Sequence, residues 1–189
     1  MEVSNLSSIW RLLILVHLIG NVFSWEWKKV PQNMHGVEPT VFIDKETQIK
    51  KGALYGTIQR LSTEWSVELE LKLATGNRTC DIITIDDSRS AILVLFYMKS
   101  KGKLRMYMRK GWPCDMSIQL KKEYTIQAHQ RYQGGGVYKR SIIFDGEEIS
   151  SQEYADFGEQ YYDLDIHASN NYNTACVGTI SELKLTNFL

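Results

Sequence analysis

From Trp65 to Leu73 apolar and polar residues alternate without a break: Trp65, Val67, Leu69, Leu71 and Leu73 on one side, Ser66, Glu68, Glu70 and Lys72 on the other. Successive side chains of a strand point to opposite faces, so this pattern predicts a strand with one face on a core and one in water. Residues 104–109 repeat it, with Leu104, Met106 and Met108 opposite Arg105, Tyr107 and Arg109. Residues 92–98 are apolar throughout, which suits a strand buried on both sides, although periodicity alone does not separate it from a buried helix. Further strands are predicted at 81–85, 124–132, 137–144, 162–168 and 179–185, each bounded by Gly, Asn, Asp or Ser. Asp145-Gly146 between two such runs predicts a tight hairpin, because glycine accepts the positive φ that primed turns need. Gly134-Gly135-Gly136 predicts a looser connection, and only 150–159 suggests a short helical turn. Strands in succession with turn chemistry between them predict an all-β chain folded as a two-sheet antiparallel β-sandwich, with no repeat and no second domain.

The start of the chain reads differently. Arg11 precedes an apolar run, 12–23, and Val22-Phe23-Ser24 offers compact residues for cleavage, so 1–24 is expected to be a signal peptide. The run is about a dozen residues, short of the ~20 that a spanning helix needs, and no later segment is a candidate for spanning. The expected product is a secreted, extracellular chain of about 165 residues, enough for one domain with its own core. Segment 25–50 is expected to be partly docked, its second half ordered by Val41, Phe42 and Ile43, and 51–189 to form the sandwich.

Charge removes one class of partner. Lysines and arginines equal aspartates and glutamates at 22 each, and the basic runs are pairs such as Lys28-Lys29, so no nucleic acid is expected. Three cysteines, Cys80, Cys114 and Cys176, leave one over when two pair in an oxidising compartment. Spacing does not choose the pair. Cys80 and Cys114 each follow a turn-like segment, and two strands of one sheet could bring them together, which points to a Cys80–Cys114 disulfide. Cys176 is then either a buried thiol or the link of a disulfide-bonded dimer. No Cys-x-x-Cys occurs and cysteines and histidines do not cluster, so no metal and no cofactor is expected.

Residues 166–175, Ile-His-Ala-Ser-Asn-Asn-Tyr-Asn-Thr-Ala, followed by Gly178-Thr179-Ile180-Ser181-Glu182-Leu183-Lys184-Leu185, resemble the closing strands of laminin-G-like, concanavalin-A-like domains of secreted animal proteins. The glycine-spaced segment from Gly52 to Ile58 and the strand and hairpin around Asp145-Gly146 occur in the expected order, so the resemblance covers roughly 51–189. It implies a jelly-roll sandwich that binds glycans or proteins through rim loops or the concave sheet, sometimes with calcium held by aspartates. Asn170 stands where that family commonly has an aspartate. Asp86-Asp87 could offer oxygen ligands to calcium, but adjacent acids in a turn are more often a solvated loop.

Catalytic patterns are missing. Hydrolases on this sandwich align three carboxylates along one strand, whereas here Glu68 and Glu70 share a face and Leu73 takes the third place. There is no His-Glu-x-x-His, Gly-x-Ser-x-Gly or phosphate loop, and His35, His129 and His167 stand alone. Aromatic rings in or beside predicted loops (Trp112, Tyr132, Tyr161, Tyr162 and Tyr172) fit recognition better, since their faces stack on sugars or on a partner's side chains. Trp112, Asn170, Asn171 and Tyr172 form the candidate ligand-binding set, the asparagines supplying donors and acceptors to hydroxyls. Asn77-Arg78-Thr79 is a glycosylation acceptor, whereas Asn5-Leu6-Ser7 would leave with the signal peptide. The expectation is a non-enzymatic module that binds an extracellular glycan or protein. A divergent carbohydrate-active hydrolase using Glu68 and Glu70, or an assembly protein linked through Cys176, are the alternatives.

Overall fold

A computed structural model describes residues 37–87, 90–109, 112–155, 159–169 and 174–188. The predicted signal peptide, the first half of segment 25–50, His35 and the loop holding Asn170, Asn171 and Tyr172 lie outside the described residues. Among the described residues thirteen strands follow one another: β1 (Thr40–Ile43), β2 (Thr47–Gln48), β3 (Ala53–Leu61), β4 (Trp65–Leu73), β5 (Cys80–Asp86), β6 (Ala91–Met98), β7 (Lys103–Met108), β8 (Trp112–Ser117), β9 (Glu123–Gly134), β10 (Val137–Phe144), β11 (Glu147–Ala155), β12 (Tyr161–Ala168) and β13 (Gly178–Asn187). No helix occurs among the described residues. The strands form two antiparallel sheets. One runs β1-β13-β4-β9-β10-β11, with β2 also on β13, and the other runs β3-β12-β5-β6-β7-β8.

The predicted inner face of β4 is the centre of the core: Trp65, Val67, Leu69, Leu71 and Leu73 are each at most 2% exposed. They pack with Leu93, Leu95, Leu104, Met106, Leu164 and Ile166 of the other sheet in one cluster, which makes the molecule a β-sandwich. Strands β6 and β7 show why one reads as doubly buried and the other as alternating. Leu93, Leu95 and Tyr97 of β6 join the core, while Val94 and Phe96 point to the outer face and are half-buried there by neighbouring side chains. The Asp145-Gly146 turn joins β10 to β11 with φ of 50° and 82°, as expected of a primed hairpin. Segment 40–49 supplies β1 and β2 on the edge beside β13 and places Ile43 and Ile49 in the core.

Two expectations are corrected. The helical turn expected at 150–159 is strand β11 as far as Ala155, because β10 pairs with it along the hairpin, with one bulge at Ile149. The disulfide joins Cys80 to Cys176, not Cys80 to Cys114, with Cα atoms 4.9 Å apart. Sheet order decides this. Cys114 lies on β8, three strand spacings from β5, roughly 14 Å away and beyond the ~7 Å that a disulfide spans. Cys176 is delivered by a short parallel bridge between Asp81 and Ala175, in which the Cys176 N–H donates to the Asp81 carbonyl at 2.9 Å. The dimer link through Cys176 falls with that pairing, and the free thiol is Cys114, buried among core residues.

Candidate functional site

Strands β5, β6, β7 and β12 present one continuous outer surface. Pairing aligns His167, Thr84, Val94 and Tyr107 in one row and places Asp165 opposite Asp86 in the next. On this face the Phe96 and Tyr107 rings lie nearly parallel, 12° apart, with centroids at 5.8 Å. Arg105 is clamped by both carboxylate oxygens of Asp115 and reaches over Tyr107. The clamp holds the Asp115 carboxyl below the usual carboxylate range, and the same hydrogen bond stabilises the guanidinium.

At the end where β5 and β7 finish and β12 begins, the face opens into a cleft of about 680 Å³. Asp86 and Asp87 enter from the end of β5, Arg109 from the end of β7, and Glu159, Tyr162 and Asp165 from the start of β12. Tyr162 is 54% exposed, a large ring with no core to fill. Its neighbour Tyr161 is buried, capped by Arg109 at 4.6 Å from its ring, and Arg109 pairs with Glu159 at 3.4 Å. Burial lifts the Asp86 carboxyl above its ordinary value; the His167 ring at 3.7 Å opposes that, and Asp165 and Asp87 reinforce it. Arg140, 2% exposed on β10 of the other sheet, donates to the Arg109 carbonyl and to Gln130 Oε1, and its guanidinium lies 3.9 Å from the Tyr154 ring. A cation buried in the sandwich thus anchors the strand end that carries Arg109.

Of the predicted ligand set, Trp112 lies among the described residues and Asn170, Asn171 and Tyr172 lie outside them. Trp112 is half-buried and packs against the core, in register with Met108, Leu93, Ile85 and Ile166 across the sheet. Four strand spacings, roughly 19 Å, lie between it and β12. Tyr132 is 47% exposed, its ring tilted against Tyr138 in the β9–β10 hairpin. Asp86 and Asp87 sit in the cleft, yet among the described residues no group of three or more His, Cys, Asp or Glu side chains is arranged to hold a metal ion.

The carboxylates of the hydrolase alternative lie on the outer face of the other sheet. Glu68 accepts from Gln127 Nε2 at 2.8 Å, and Lys184, paired with Glu182, also feels Glu68 and Glu70. Burial, followed by the charge of Glu182, raises the Glu68 carboxyl. His129 on the same face is pushed down to about 4, first by burial and then by Arg131. The cleft escaped sequence reading because its members are scattered from Asp86 to Asp165 and meet only through strand order. Tyr161-Tyr162 and Asp86-Asp87 were the visible traces.

No family model and no curated protein matches the sequence. Solved structures match in fold. HCR/D, determined in a point-mutant form, aligns with a TM-score of 0.56 at 13% identity, over 85% of this chain and 47% of that one. The CBM40 domain of Ruminococcus gnavus IT-sialidase, bound to α2,3 sialyllactose, aligns at 0.54 and 11% identity, over 78% and 92%. A Trypanosoma rangeli sialidase in complex with 2,3-difluorosialic acid gives 0.46 at 14% identity over 66% of this chain. This chain spans about a fifth of the length of that sialidase, and a likeness so weak carries no argument. At these identities the matches establish the architecture, a jelly-roll β-sandwich, and nothing about ligands.

Proposed function

We propose that the chain is a secreted, non-catalytic binding module that recognises a neutral glycan in the rim cleft. The exposed Tyr162 ring, standing in a cleft whose other walls are hydrogen-bonding side chains, carries the reading. An aromatic face for the C–H side of a sugar, beside carboxylates that accept from its hydroxyls, is the arrangement such ligands need. Among the described residues that line the cleft, five carboxylates (Asp86, Asp87, Glu159, Asp163 and Asp165) stand with the one cation Arg109, a balance that disfavours an anionic sugar and leaves a neutral one unopposed. The sialyllactose of the CBM40 neighbour is therefore not the expected ligand, although a shared sandwich bearing a sugar site supports the class of function. The Cys80–Cys176 disulfide supports residence in an oxidising compartment, as does the predicted signal peptide.

A glycan array with the purified protein, repeated in chelator, tests this. Saturable binding to uncharged sugars is expected, unaffected by chelator and weakened about tenfold by Tyr162→Ala, roughly 1.4 kcal/mol. Binding confined to sialylated sugars, or binding indifferent to Tyr162→Ala, refutes the cleft as the site. A blank array transfers the reading to a protein partner. Turnover of a β-glucan that Glu68→Ala abolishes would make the hydrolase alternative the better account.

A further inference from the structure

The opposite end of β5 holds a second concavity. The connection from β4 to β5 carries Asn77-Arg78-Thr79, and all three residues are exposed. Thr75, Asn77 and Arg78 form one wall of a groove of about 270 Å³, Ala175 and Val177 form the other, and Cys80 of the disulfide contributes to its lining. Cys80 and Cys176 are 4% and 2% exposed, whereas Val177 is 51% exposed, an apolar side chain left open to water. A groove with room for one sugar ring, an apolar wall and a glycosylation acceptor on its rim is matched to an occupant that the chain itself can carry.

We propose that Asn77 bears an N-linked glycan whose first N-acetylglucosamine lies in this groove, its apolar face on Val177, and screens the Cys80–Cys176 disulfide from solvent. In the attachment step the Asn77 amide nitrogen bonds to the anomeric carbon of a lipid-pyrophosphate-linked oligosaccharide. The bond from that carbon to the phosphate oxygen breaks, the pyrophosphate keeps the electron pair, and the amide nitrogen gives up one proton. No oxidant or reductant is needed. Thr79 completes the acceptor sequence, and in the folded protein its hydroxyl accepts from the Lys99 N–H at 3.2 Å. The sugar covers apolar surface on Val177 and Ala175 at little cost in ordering, because the covalent link already holds it beside the groove.

This inference rests on the secretory route of the proposed function, but not on its cleft, and the test keeps the two apart. The full chain is expressed through the secretory pathway of an animal cell, and intact mass is recorded before and after an amidase that removes N-glycans. A mass loss is expected that Asn77→Gln and Thr79→Ala each abolish and Thr79→Ser preserves. Disulfide reduction by dithiothreitol under native conditions is then expected to be several-fold faster in the Asn77→Gln protein, and Val177→Ser is expected to bring the glycosylated protein toward that faster rate. Secreted protein without sugar at Asn77, or protein that never enters the pathway, overturns the inference. Equal reduction rates with and without the sugar overturn its seat in the groove. Sugar binding by the purified protein is scored separately through Tyr162 and stands or falls on its own.

Discussion

The two ends of β5 are built on opposite terms. At Cys80 the chain is fixed covalently to Cys176, a backbone bridge seals the join, and the cysteines are almost wholly buried. About 20 Å away, at Asp86, carboxylates are gathered beside one another, one of them is lifted by burial and by like charge, and a tyrosine ring is left in water. Within a single seven-residue strand, one end is arranged for stability and the other accepts electrostatic cost. A cost of that kind is relieved when a ligand binds, which is why the proposed recognition is assigned to the acidic end, while the covalent fastening, with its proposed sugar, lies at the other.

The contrast is broken most forcefully at the fastened end. Cys176→Ala should cost about 2–5 kcal/mol in denaturant unfolding, since a loop of 96 residues is released, and peptide mapping of the oxidised protein should recover Cys80 joined to Cys176. Cys114→Ala should leave that peptide intact. A Cys80–Cys114 peptide would refute the pairing and reopen the sheet order.

Next in size is Arg140. Arg140→Met leaves the Arg109 carbonyl without its buried donor, and a loss of about 1–3 kcal/mol is expected. Because Arg109 lines the cleft, sugar affinity should fall with it, although Arg140 itself does not line the cleft. Unchanged affinity at reduced stability would confine Arg140 to the core.

The smallest effect is the most telling. The Asp86 carboxyl is raised in the folded protein, so the folded state holds its proton to higher pH than the unfolded chain does. Its contribution to stability is full below the unfolded value of 3.8 and is lost as pH rises through the raised value. Asp86→Asn should therefore stabilise the protein at neutral pH by less than about 0.5 kcal/mol, since the group is only half-buried and solvent still screens it. It should flatten the stability profile just above pH 3.8 and weaken sugar binding. A destabilised Asp86→Asn would mean that the His167 contact outweighs the repulsion.

Much of the sandwich was legible because burial on one face imposes a period of two. The strand from Trp65 to Leu73 is where the predicted core face and the buried residues coincide completely. Edge strands were less visible. In β11 polar residues occupy both faces and look helical in sequence, and in β8 Trp112-Pro113 looks like a turn although Cys114 and Met116 are core positions. Long-range pairing was illegible in principle. Nothing in the spacing of Cys80, Cys114 and Cys176 encodes that β6 and β7 intervene between β5 and β8, and the same ignorance of strand order dispersed the cleft.

The placement of the disulfide has a consequence for wear. Every residue that lines the rim cleft falls between Cys80 and Cys176, so the cleft belongs wholly to one covalently closed ring. A protease that cuts any loop around the cleft opens that ring without freeing a fragment. The nicked molecule would run as one species until reduced and as two afterwards, and its two pieces would remain tethered at the end of the sheet farthest from the damage.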